Sequence, residues 1–139
     1  MSNISIFESH LQKNNIHLEE IQMEDGSIAF RGRESLKGGG NIIFVIVFNN
    51  SQDIVDIKVL NIANIDSPLK KEAILDLINE LNMIYRYSKF YINDGAIDAE
   101  YSLRLGDNQL DPQILMSYLI LLINAAEESY PKFMKLQWG

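Results

Sequence analysis

Cysteine is absent from the 139 residues. Disulfides, thiolate metal sites and thiol nucleophiles are therefore excluded. Histidine occurs only as His10 and His17, on different predicted elements and at a spacing that fits no metal-ligand motif. No metal or cofactor is expected. Long apolar runs are missing as well. The longest, Ile114 to Ile123, is broken by Ser117 and is too short to span a bilayer. The N-terminus lacks a basic segment ahead of an apolar stretch, so no secretory signal is read there. These absences point to a cytoplasmic protein. Positive charge is scarce and scattered: 12 Lys and Arg stand against 19 Asp and Glu, a net −7. A phosphate backbone would repel such a surface, so nucleic acid is excluded as a partner.

The residues present suit one domain over residues 1–139, since 47% hydrophobic residues suffice for a core. Asn3 to about Lys13 reads as a helix with Ile4, Phe7 and Leu11 on one face and Ser2 or Asn3 as its cap. A hairpin comes next, centred on Asp25-Gly26. A two-residue loop there would set Met23 against Ile28, Ile21 against Phe30 and Glu20 against Arg31. Gly38-Gly39-Gly40 precedes a strand, not a helix, so it reads as a flexible connector rather than a phosphate cradle. That strand is apolar on both faces: Ile42, Phe44, Ile46 and Phe48 on one, Ile43, Val45 and Val47 on the other. Such a strand calls for cover on two sides. In the next strand Val55, Ile57 and Val59 alternate inward, and Leu60 and Ile62 break the pattern, which predicts a bulge or a second covered face near its end.

Ser67-Pro68 reads as an N-cap and first helical residue. The stripe behind it is Leu69, Ala73, Ile74, Leu77, Ile78 and Leu81, with Leu77 at its centre. From Tyr87 to Leu105 the pattern alternates around Asp94-Gly95, a second hairpin that sets Lys89 against Glu100, Phe90 against Ala99 and Ile92 against Ile97. Asp111-Pro112 opens a last helix, apolar around nearly its whole circumference to Ala126. Behind it lies a tail with Phe133, Leu136 and Trp138, able to fold back as a lid. The order α-β-β-β-β-α-β-β-α with local antiparallel pairs predicts an α+β fold, helices packed on an antiparallel sheet.

Catalytic constellations are not apparent. Ser35 and Ser88 have no nucleophile-elbow context. Asp98 and Glu100 share a strand face, but each has a cross-strand partner, so a solvated sheet face is the reading. Tyr85 to Tyr91 interleaves basic and aromatic residues, yet only alternate ones share a face. Asn79 and Asn82 read as caps of the helix exit.

Three stretches carry a resemblance: Gly26-x-Ile28-x-Phe30, then Leu77-Ile78-Asn79-Glu80-Leu81-Asn82, then Lys89-Phe90-x-Ile92-x-Asp94-Gly95-x-Ile97, with the apolar helix behind them. Over residues 4–126 the chain resembles the YbjN family, often labelled bacterial sensory transduction regulators, whose fold is that of type III secretion chaperones. The Phe133–Trp138 tail is not part of this resemblance. The family has no catalytic residues to carry over. The resemblance implies a domain that dimerises and binds peptide segments of other proteins. The expectation is therefore a non-enzymatic, chaperone-like or regulatory protein-binding module, forming a homodimer. An enzyme with an unrecognised site and an antitoxin-like immunity protein are the alternatives. The surface expected to meet a partner or second copy comprises Ile43, Val45, Val47, Leu119, Leu122, Phe133 and Trp138.

Overall fold

The structure, a computed structural model, describes residues 1–139. Helix α1 spans Asn3–Lys13, and the strands β1 to β4 span Glu19–Gln22, Ile28–Ser35, Asn41–Phe48 and Ile54–Asn64. Helix α2 spans Lys71–Ile84, strands β5 and β6 span Lys89–Asn93 and Ala96–Arg104, and helix α3 spans Pro112–Trp138. The strands form one six-stranded antiparallel sheet in the order β1-β2-β3-β4-β6-β5. The predicted α+β class and element order are those observed.

All three helices lie on the same face of the sheet. Phe7 of α1 meets Phe30 edge-on at 5.0 Å and Phe48 at 5.5 Å. Phe133 of α3 meets Phe90 of β5 at 6.5 Å. Between them Leu115, Leu119 and Leu122 of α3 are buried over Val55, Ile57 and Val59 of β4. Local chemistry explains two of the helix starts. Ser2 caps α1 by accepting from the Ser5 N–H, and Asp111 caps α3 by accepting from the Gln113 and Ile114 N–H groups.

Helix α2 departs from the sequence reading. Ser67 makes no side-chain cap, and Pro68–Lys70 form a 3-10 turn instead of the first α-helical turn. The stripe is therefore rotated: Leu69 is 95% exposed and Ala73 is also exposed, while Ile74, Ile78 and Leu81 are buried. Leu77 packs at the margin of the core and is not its centre.

The two hairpins separate for a backbone reason. Asp94 and Gly95 both have positive φ, 53° and 84°, the pair a two-residue type I′ loop requires. Lys89 accordingly faces Glu100, as predicted, with an Nζ–Oε1 distance of 2.9 Å. In the first hairpin only Gly26 is left-handed, at φ 88°, and Asp25 spends its carboxylate on the Ser27 N–H at 2.9 Å. The Met23 N–H bonds the Ser27 carbonyl, which closes a three-residue loop. One extra loop residue slides β1 by one position. Glu19, not Glu20, faces Arg31, and Glu20 lies opposite Phe30. The expected Glu20–Arg31 pair is thus overturned; the two lie on opposite faces.

Of the two alternatives read for the end of β4, the bulge is present. Val59 pairs with Ala99 and Ala63 with Ile97, so β4 carries two extra residues there, and Asn61 takes φ 62°. One side of the glycine loop packs on helix α3: a Cβ at Gly40 would stand 2.7 Å from the Tyr130 ring, while one at Gly39 would meet open space. No lid folds back. Helix α3 continues through Pro131 to Trp138, because the buried stripe runs unbroken from Leu115 through Ser129 to Phe133. Proline costs an interior helix about 3 kcal/mol, which the burial of Phe133 offsets.

Candidate protein-binding surface

The sheet face away from the helices is open. Its central spine is Ile43, Val45 and Val47, all half-buried, as expected for a row with no helix above it. The register sets out what flanks them. Across the sheet at the level of Val45 stand Glu19, Arg31, Val45, Lys58, Glu100 and Lys89. At the level of Val47 stand Ile21, Ala29, Val47, Asp56 and Ser102, the last donating to Asp56 at 2.5 Å. At the level of Ile43 stand Arg33 and Leu60. The face is therefore an apolar spine flanked at Val45 by Arg31 and Lys58, with Glu19 and Glu100 beyond them.

Of the other residues expected on this surface, Leu119, Leu122 and Phe133 are buried between α3 and the sheet and are not available to a partner. This corrects the expectation: the all-round apolar helix is covered on its sheet side by those residues. It shows Ile114, Ile120 and Leu121 outward. Trp138 is 79% exposed, at the far end of α3.

Asp98 also departs from expectation. It belongs to the open face by register, yet it is only 3% exposed. The Asn61 N–H in the β4 bulge donates to its carboxylate at 3.0 Å. Burial pushes the carboxyl above its ordinary value, against the hydrogen bond from Asn61. Asp98 thus serves as a bulge anchor rather than a solvated surface group. Beside it the Tyr91 hydroxyl is pushed up to about 12, chiefly by burial and then by Glu100 and Asp98.

A second feature was not legible in the alternation from Tyr87 to Leu105. Pairing of β5 with β6 stops at Lys89–Glu100, although β6 runs on to Arg104. Tyr87 leaves the ladder and packs edge-on against Tyr101 at 5.5 Å and Tyr118 at 5.3 Å. A cleft of about 400 Å³ remains there, lined by Arg86, Ser88, Lys89, Glu100, Tyr101 and Ser102 with Asn82 and Tyr85. Meanwhile Asn82 holds β5 itself: its Oδ1 accepts from the Phe90 N–H at 2.7 Å and its Nδ2 donates to the Phe90 carbonyl at 3.1 Å. The asparagine read as a cap of the helix exit does tie that exit to the hairpin.

A family model, YbjN, described as "Putative bacterial sensory transduction regulator", matches residues 3–135. The chain belongs to the YbjN family. The match runs beyond Ala126 into the last turns of α3, which the resemblance read from the sequence did not reach. The two YbjN-like stretches around Asn82 and Phe90 are in direct contact through the pair of hydrogen bonds just described. No curated protein matches the chain. No helix of this YbjN-family chain is long and apolar enough to cross a membrane.

Proposed function

We propose that this YbjN-family chain is a non-enzymatic, regulatory protein-binding module that holds a protein partner on the open face of its sheet. The half-exposed spine of Ile43, Val45 and Val47 carries this reading, because every helix of the chain lies on the other face. Monomers seldom leave a contiguous apolar strip uncovered. The flanking charges suit a polar rim around an apolar centre, the common anatomy of a reversible interface. The same strip also supports a two-fold homodimer, since an apolar spine is complementary to itself. The test is affinity capture from the native cytoplasm with the parent chain and with Val45→Lys. The parent is expected to retain a partner that the variant loses while keeping its circular dichroism. Equal capture by both would remove the open face from the function.

A further inference from the structure

We propose that the overhang of β6, Tyr101 to Arg104, is a docking edge for an extended, acidic segment of another protein, which adds to the sheet in line with β5. The proposal rests on the protein-binding reading and names a second contact, distinct from the open face. Three observations carry it. First, β6 outruns β5 by Tyr101–Arg104, so alternate backbone groups of that stretch have no strand on the β5 side. The outer edge of β5 is not equivalent, because Asn82 already occupies the N–H and carbonyl of Phe90. Second, a cleft of about 400 Å³ opens beside Tyr101 and Ser102, the first half of that stretch, with the Tyr87 ring packed against Tyr101 next to it. Third, the cleft is lined by Arg86, Lys89 and Glu100; Lys89 is paired with Glu100, which leaves Arg86 as the free charge there on a chain of net −7.

The alternation of β6 states what the incoming segment needs. Tyr101 and Leu103 point to the helix side, where the Tyr101 and Tyr118 rings stack at 4.7 Å. Ser102 and Arg104 point to the open side, next to Lys89 and Glu100. A bound strand would therefore set apolar residues toward the tyrosines and acidic ones toward Arg86, Lys89 and Arg104. A second copy of the chain fits poorly. Two-fold antiparallel pairing keeps residues of one face opposite each other only if partners differ by an even number. Within Tyr101–Arg104 that leaves a ladder of about three residues before β5 of either copy intrudes. The β2 overhang, Gly32–Ser35, also lacks a strand neighbour, but it presents Arg33 beside Glu34, with no net positive charge.

The experiment uses the full chain and two synthetic eight-residue peptides, one alternating valine with glutamate and one alternating valine with lysine. Binding is followed by fluorescence anisotropy, and amide hydrogen exchange locates it. The glutamate peptide is expected to slow exchange at alternate amides of Tyr101–Arg104 by tenfold or more. It is expected to bind at least fivefold more tightly than the lysine peptide, and Arg86→Glu is expected to remove that preference. Binding without protection at Tyr101–Arg104, equal affinity for both peptides, or no binding at millimolar peptide would each overturn the proposal. So would protection of these amides in the free chain together with a doubled mass, which would place a second copy on the edge. Loss of this site with retained, Val45-dependent capture would leave the open-face reading standing.

Discussion

Asn82 does for β5 what a neighbouring strand would otherwise do. Its amide supplies an acceptor and a donor to one residue, Phe90, whose ring is buried. Asn82→Ala would leave that N–H and carbonyl without protein partners, so a loss of about 1–3 kcal/mol is expected in urea denaturation. Asn82→Asp keeps the acceptor and should recover part of it. Two carboxyl groups respond to pH in the same sense. The shifted register turns Glu20 toward α1, where its hydrogen bond and charge raise Glu8 above the ordinary value. Burial raises Asp98. A folded pKa above the unfolded one means that the fold binds the proton more tightly. That contribution is full below the unfolded value and is lost as pH rises through the folded one. Asp98→Asn keeps an acceptor for the Asn61 N–H without the charge. It is therefore expected to flatten the stability slope on the basic side of the ordinary aspartate range and to be no less stable than the parent at neutral pH. Parallel denaturation series across pH 3–7 would check this; a steeper slope in the variant would contradict the assignment of Asp98.

At the scale of elements, stability tracks the rotated stripe of α2. Leu81 is fully buried and Leu77 is marginal. Leu81→Ala is expected to cost about 2–5 kcal/mol, with Leu77→Ala well below it, as measured by urea titration. The salt bridge Lys89–Glu100 should contribute less than about 1 kcal/mol, because the lysine end is largely in solvent. The phase of α2 is not a local property. Ser67-Pro68 has the composition of a helix start, but Pro68 also suits a 3-10 turn, and only packing decides how the helix behind it is rotated. The first hairpin departs from its expected register for a similar reason. Asp25-Gly26 and Asp94-Gly95 are the same dipeptide, and the side-chain bond from Asp25 to Ser27 selects the longer loop. By contrast, the stripe Ile4, Phe7, Leu11, the inward run of β4 with its bulge, and the whole Lys89–Glu100 register were legible, since periodicity and turn type agreed there. The tail could not be read because Pro131 is a breaker by local rules, while the stripe to Phe133 is a tertiary fact.

For the molecule as a whole, the decisive fact is the one-sided placement of the helices. The sequence calls for cover on both faces of β3, and the structure covers only one. A linear pattern places Leu119, Leu122 and Phe133 on the partner surface together with the second row of β3, because a helix apolar all round has no preferred side in it. The fold commits those residues to the sheet and leaves Ile43, Val45 and Val47 without cover. Five strand spacings give this face a width of about 24 Å, and eight-residue strands a length of about 26 Å. With its rim, that is enough for the roughly 800 Å² per partner of a standard interface. If two copies meet here, light scattering at micromolar concentration is expected to give twice the mass of one chain. Val45→Lys is expected to halve it, because a lysine on the spine sets a charge opposite an apolar row and next to Arg31 and Lys58. The substitution lies on the half-exposed side, so the melting temperature of the subunit should change little beyond the loss from dissociation. A dimer that survives Val45→Lys would place self-association elsewhere, with the outward Ile114, Ile120 and Leu121 of α3 as the next surface to probe.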